Sequence, residues 1–167
     1  GEPLAGGTWR GHTTFVDGLG AELSQPGLSG PDFDDAFLYG LNADGGKKLL
    51  EFATGPGVVQ INSAAYHRDG VVVGGWRTDN LSLLGEQYGG TTAFVARRSP
   101  AGDVSWFAEI QSNPTTPTLI SGVAEAPDGG VYVTGTVYSG SDFYGSGAPG
   151  VSQGHATSNA YEGQAFF

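Results

Sequence analysis

The segment Asp35-Ala36-Phe37-Leu38 returns as Thr92-Ala93-Phe94-Val95 and again as Gln164-Ala165-Phe166-Phe167. Phe37 and Phe94 lie 57 residues apart, and Phe94 and Phe166 lie 72 apart. Self-similarity at such a period means that one supersecondary unit is stacked several times, which sets aside a single two-layer domain. The recurring unit is built of strands punctuated by glycine. It therefore predicts an all-β chain of β-propeller blades, each an antiparallel four-stranded sheet. Behind the Phe a hairpin recurs. Residues 38–41, the turn Asn42-Ala43-Asp44-Gly45 and residues 47–52 correspond to 95–98, the turn Ser99-Pro100-Ala101-Gly102 and 104–110. Gly45 and Gly102 keep the 57-residue offset and supply the residue that tolerates positive φ. In the later copy Val104, Trp106, Ala108 and Ile110 alternate onto one face, as strand residues do.

A second hairpin follows each first one. Residues 58–66 lead through Asp69-Gly70 into Val71-Val72-Val73-Gly74-Gly75, and 119–126 lead through Asp128-Gly129-Gly130 into Val131-Tyr132-Val133-Thr134-Gly135. Asp-Gly between apolar runs is a strong hairpin signal. Residues 58–69 lack Gly and Pro and are compatible with a short helix, but the copy carries Gly122 and Pro127, so the repeat predicts strand in both. A third element begins at Gly7-Thr8-Trp9, Gly75-Trp76 and Gly135-Thr136-Val137, with Phe15, Leu83 and Phe143 eight residues after each glycine. From there to the next Ala-Phe strand the copies differ, with spacings of 22, 11 and 23 residues. Length variation at one point of a repeat marks a loop on one face. It predicts long loops over 16–31 and 144–161.

The segments that result are the end of one blade with its long loop (1–34), a blade (35–91), a blade with a long final loop (92–163) and the opening strand of another (164–167). A propeller closes with about four to eight blades. The ring in this chain is incomplete, which implies further blades or a protein partner that completes it, assembly of several copies, or an open stack with exposed edges; the favoured reading is a segment of a larger protein. The start at Gly1 and the absence of Met fit a segment cut from a longer or secreted precursor.

Composition narrows the partners. Seventeen acidic against seven basic residues give a net charge of −10, which argues against nucleic acid as a partner, since a binder needs a cationic patch to neutralise phosphates. It also argues against an electrostatic membrane anchor. No apolar run approaches the roughly 18 residues of a membrane span, so membrane insertion is not expected. Without cysteine there is neither a disulfide framework nor a thiolate zinc site. Thirty glycines in 167 residues are well above the typical level of about 7% and fall between apolar runs, as turns of an all-β chain do.

These residues resemble the bacterial SBBP repeat, a seven-bladed β-propeller family of large secreted and surface proteins. The likeness rests on Asp35-Ala36-Phe37-Leu38 and Thr92-Ala93-Phe94-Val95-Ala96-Arg97, on Ala101-Gly102 followed by Trp106, and on Pro127-Asp128-Gly129-Gly130-Val131-Tyr132-Val133-Thr134-Gly135 with Asp142-Phe143. It covers roughly residues 35–167 as two copies, and the first 34 fit a partial one. The earlier copy departs from it with Val71-Val72-Val73-Gly74-Gly75 and lacks the Asp-Phe pair. The resemblance implies a propeller fold and an extracellular or cell-surface setting. It transfers no catalytic motif.

Candidate chemistry is sparse. Asp32, Asp34 and Asp35 offer clustered oxygen ligands for Ca²⁺, set against a solvated loop leading into the Ala-Phe strand. The matching positions Thr91-Thr92 and Gly163-Gln164 lack the charges. No other cofactor is expected. Asn42-Ala43-Asp44-Gly45-Gly46 lacks the twelfth-position Glu of an EF-hand loop and is a turn. His12, His67 and His155 fall at three different places in the repeat, which argues against a shared metal. No Gly-x-Ser-x-Gly stands in the strand-turn-helix setting of a nucleophile elbow. Trp9 and Trp76, each followed by an arginine, Arg10 and Arg77, form the candidate ligand-binding set, because aromatic faces stack on sugar rings. The competing role for both tryptophans is packing within or between blades. The sequon Asn80-Leu81-Ser82 has no expected role in a bacterial protein. The expectation is a non-catalytic extracellular scaffold or adhesion module. A glycan-binding lectin-like module is the alternative, and a catalytic propeller with its active site outside this chain is a further one.

Overall fold

Turns specified by their own residues cut the chain into strands. Asn42 N donates to Gly46 O at 2.8 Å and Gly45 N to Asn42 O at 3.0 Å; Ala126 N donates to Gly130 O and Gly129 N to Ala126 O, both at 2.9 Å. Asp44 and Asp128 each accept the amide two residues on through Oδ1, at 2.9 Å. Gly45 and Gly129 both have φ +88°, where a Cβ would be strained. Each is a short hairpin loop ending on a left-handed glycine.

A computed structural model describes residues 2–10, 13–25, 34–54, 57–68, 70–78, 81–83, 86–88, 92–99, 101, 103–111, 118–137, 141–144, 152–156 and 164–166. Among them there is no helix, and so none long and apolar enough to cross a membrane. The strands are β1 (Leu4–Trp9), β2 (Thr13–Val16), β3 (Glu22–Gln25), β4 (Asp35–Leu41), β5 (Lys47–Thr54), β6 (Val59–His67), β7 (Gly70–Arg77) and β8 (Leu81–Leu83). They continue as β9 (Glu86–Tyr88), β10 (Thr92–Arg98), β11 (Val104–Gln111), β12 (Leu119–Glu125), β13 (Val131–Val137), β14 (Ser141–Tyr144), β15 (Ser152–Ala156) and β16 (Gln164–Phe166). Residues 59–67, where a helix competed with a strand, are strand.

The strands form antiparallel sheets. A first sheet runs β1-β4-β5-β8-β9, a central one β15-β14-β11-β10-β7-β6, a third β12-β13-β16, and β2-β3 stand as a hairpin of their own. The sheets are thus five-, six- and three-stranded rather than uniformly four-stranded. The reason lies in the variable segments, which were expected as loops. Two of them fold into hairpins that join the sheet before their own: β8 pairs with β5, Ala53 opposite Leu83, and β14 pairs with β11, Ile110 opposite Phe143. Residues 22–25 and 152–156 are accordingly strand, not loop. The stretches 26–31, 145–151 and 157–161 of the expected loops lie outside the described residues. The sheets also cut the repeat at another phase than the Ala-Phe segments. Of the stretch 35–91, β4 and β5 lie in the first sheet and β6 and β7 in the central one.

Register carries the repeat further than sequence did. Gly7, Gly75 and Gly135 stand opposite Phe37, Phe94 and Phe166. The ladder irregularity between Gly40 and Leu41 recurs 57 residues on between Arg97 and Arg98, and that between Ile61 and Ser63 recurs between Ile120 and Gly122.

Two cores lie on opposite faces of the central sheet. One joins Leu38 and Leu49 of the first sheet to Val71, Val73, Phe94 and Ala96. The other joins Val72, Ala93 and Val95 to Ile120 and Val137 of the third sheet. Alternation along β7 and β10 sends successive side chains to the two cores, which explains why Val71-Val72-Val73 and Ala93-Phe94-Val95-Ala96 are apolar throughout. Phe94 is 0% exposed, a burial that contributes about 1.5–3 kcal/mol.

Candidate functional site

The four aromatic and arginine candidates do not converge. Trp9, 8% exposed, packs edge-on against Phe52 at 5.1 Å between ring centroids and against Phe15 at 6.5 Å, and lies tilted on Phe37 at 6.4 Å. Phe37 alternates with Ala36 and Leu38, which face the central sheet, so this cluster covers the opposite face of the first sheet. Arg10 is exposed, with Nε 2.7 Å from Asp34 Oδ1. Trp76 is half-buried and donates Nε1–H to Gln60 Oε1 at 2.7 Å. Arg77 is fully buried, paired with Glu109 and set 5.7 Å from the centre of the Phe107 ring.

The ladders show why the two tryptophans differ. Trp9 stands opposite Asp35 and Arg77 opposite Thr92, each two residues past its pairing glycine. Arg77 thus holds the place of Trp9, and Trp76 falls on the other face of its strand. On the neighbouring strand Phe52 is opposite Phe37 and Glu109 opposite Phe94. The Trp9–Phe52 contact of the first sheet has become the Arg77–Glu109 ion pair of the central one. The signal was in the sequence, in the equal two-residue distance from Gly7 and Gly75; adjacency of Trp to Arg obscured it.

Of the acidic candidates, Asp34 pairs with Arg10 and its carbonyl accepts Val59 N at 2.9 Å. Asp35 is buried, 2% exposed, and Asp32 lies outside the described residues. No group of three His, Cys, Asp or Glu side chains suited to a metal gathers among the described residues. His67 is buried, and its Nε2 donates to Gly129 O at 2.8 Å, since a carbonyl only accepts. His155 belongs to β15, at the opposite edge of the central sheet from His67 in β6. His12 and Asn80 lie outside the described residues.

A different constellation, not singled out by the sequence, is the most developed site. Lys47, Lys48, Arg68 and Arg98 line a cleft of about 620 Å³ together with Glu51 and Tyr66. These are four of the chain's seven cations. The cleft opens where the start of β5 in the first sheet faces the end of β6, the start of β7 and the end of β10 in the central one. Arg98 Nη2 donates to Glu51 Oε1 at 2.7 Å across the two sheets. Lys48 pairs with Glu2, and its Nζ lies 4.8 Å from the Tyr66 ring centre. Chiefly its hydrogen bond to Glu2 holds the Lys48 ammonium above its ordinary pKa. Burial pushes the Tyr66 phenol up, with the Lys48 charge opposing and Glu2 adding to it. Both groups therefore stay protonated at neutral pH. Tyr66 Oη and Arg98 Nε are buried with no hydrogen-bond partner among the described residues.

Arg68 at the rim has φ +43°, an uncommon conformation for a residue with a Cβ. Its side chain reaches the third sheet, with Nη2 donating to Asp128 O at 3.0 Å and Nε 3.5 Å from Glu125 Oε1. Gly70 begins β7, and a positive φ falls on Arg68, just after β6. All four cations stand beside hairpin turns at one end of the repeat, a pattern visible only once the strands are aligned.

Comparison with protein-family models, with characterised proteins and with solved structures gives no match to this chain.

Proposed function

We propose that the chain is a segment of a β-propeller, its sheets the blades, serving outside the cell as a non-catalytic scaffold or adhesion module. The observation that carries the proposal is the setting of the central sheet. Its strands β6, β7, β10 and β11 follow one another in ladder order, and both of its faces are buried against sheets made from the same repeat. Repetition of that kind builds a surface rather than a reaction centre, and the propeller is the architecture in which such sheets stack face to face. The SBBP-like motifs support the extracellular setting, and further blades or a protein partner extend the stack. Burial of Trp9 and Arg77 supports a packing role for both.

A neutral-glycan array and a panel of hydrolase substrates test this reading on the purified chain. Background signal on the array and no turnover are expected. Turnover that disappears in His67→Ala contradicts it.

A further inference from the structure

We propose that the cleft between the first and central sheets binds a small oxyanion ligand, one bearing a carboxylate, sulfate or phosphate group. The assignment gives the interaction module proposed above a ligand class and rests on that reading.

The chemistry of the lining sets the class. Lysine and arginine only donate hydrogen bonds, and a protonated tyrosine donates as well. What the cleft lacks is therefore acceptors. Arg98 uses Nη2 on Glu51 and Nη1 on Ser99 O at 3.3 Å. Its Nε remains buried and unmatched, as does Tyr66 Oη. A buried donor without an acceptor costs about 1–3 kcal/mol, and both of these belong to residues that line the cleft. Charge agrees: four cations face Glu51 in the lining, with Glu2 and Glu125 at its margin, in a chain whose net charge is −10. Lys47 makes no ion pair among the described residues. A neutral sugar would leave that charge unmatched, and the Tyr66 face is occupied by Lys48. The cleft is the size of sites that hold small organic molecules, roughly 300–1,000 Å³, and larger than a bare anion needs. A sugar acid fits both requirements.

Titration calorimetry of the whole chain at matched ionic strength tests the proposal with glucuronate, inorganic sulfate and inorganic phosphate, and with glucose as the neutral control. Saturable binding of at least one anion, with glucose at background, is the expected result. Glucuronate alone assigns the carboxylate; sulfate or phosphate alone assigns the tetrahedral anion. Lys47→Gln weakens binding several-fold, and Arg98→Gln weakens it tenfold or more. Tyr66→Phe weakens binding without lowering the unfolding midpoint, because the hydroxyl it removes has no hydrogen-bond partner among the described residues. Arg97→Gln, which removes a cation that does not line the cleft, leaves affinity unchanged. If Arg98→Gln does not fold, Lys47→Gln and Tyr66→Phe decide. No saturable binding of any of the three anions overturns the proposal, as does parental affinity in both Lys47→Gln and Tyr66→Phe. Either failure leaves the stacking of the sheets untouched, and that is tested separately by the cross-links described below.

Discussion

Gly74 is the socket for Ile120. A Cβ at position 74 would stand 2.5 Å from Ile120 Cγ2 and 2.8 Å from Val123 Cγ1, so the central and third sheets meet here only because no side chain intervenes. The contact occurs twice. One interface earlier, a Cβ at Gly6 would stand 2.6 Å from Ile61 Cγ2. Ile61 pairs with Gly75 and Ile120 with Gly135, while Gly6 and Gly74 immediately precede the aligned glycines 7 and 75. Both contacts therefore use the same two places in the repeat. Each sheet receives the isoleucine of the next one in its glycine gap. At the corresponding place in the third sheet stands Thr134.

Gly74→Ala is expected to destabilise the chain by about 1–3 kcal/mol, the usual cost of overpacking a filled core. In a chain of this length that lowers the midpoint by about 2–4 °C per kcal/mol. Adding Ile120→Ala opens room for the new methyl, so the double variant should be more stable than the sum of the two single losses, with a coupling of about 0.5–3 kcal/mol. Urea unfolding of the four proteins checks this. Strict additivity would place Gly74 and Ile120 apart.

The Arg77–Glu109 pair predicts a sharper asymmetry. Arg77 is 0% exposed, so Glu109→Gln takes a carboxylate partner away from a buried guanidinium and should cost about 3–5 kcal/mol. Arg77→Met with Glu109→Leu removes both charges and should recover most of that loss, as the aromatic pair Trp9–Phe52 does without charge in the first sheet. Denaturant midpoints of the single and double variants measure it. A double variant no more stable than Glu109→Gln counts against a desolvated pair.

Much of this architecture was legible in the residues. The hairpins around 42–45 and 126–130 announce themselves through Asp, Gly and flanking apolar runs, because a turn is specified by its own few residues. The aligned glycines and Ala-Phe strands did pair, Gly7 with Phe37 and Gly75 with Phe94. The break between sheets was not legible. β5 and β6 follow each other as closely as hairpin partners do, and nothing local tells a strand to leave its sheet. The backward reach of β8 was hidden for a similar reason: three residues carry too little pattern, and its partner Ala53 lies 30 residues away. Likewise, Lys47, Lys48, Arg68 and Arg98 are scattered in sequence and meet only when two sheets stack.

The β2-β3 hairpin should loosen in acid. Asp17 Oδ1 accepts Ala21 N at 2.8 Å and Leu19 N at 3.0 Å. The Ala21 bond is the largest cause holding the Asp17 carboxyl below its ordinary pKa, with burial opposing and the other amides adding. A depressed folded pKa means that this stabilisation is present above the ordinary carboxylate range and is lost as pH falls through the lowered value. Amide protection at 18–21, relative to the intrinsic exchange rate at each pH, should fall there, earlier than in the central sheet, and Asp17→Asn should remove the pH dependence. Equal acid sensitivity in Asp17→Asn contradicts this.

Stacking of three like sheets in series is tested most directly by engineered disulfides, since the chain has no cysteine to compete. An ideal Cβ at Gly6 lies 3.5 Å from Ile61 Cβ, and one at Gly74 lies 3.4 Å from Ile120 Cβ, close to the roughly 3.5–4.5 Å spanned by native disulfides. Gly6→Cys with Ile61→Cys, and Gly74→Cys with Ile120→Cys, should each oxidise to a single intramolecular cross-link in the folded chain. Gly6→Cys with Ile120→Cys, which spans the whole central sheet, should not. Cross-linking of that control pair, or failure of both matched pairs in a folded chain, contradicts the stacked order.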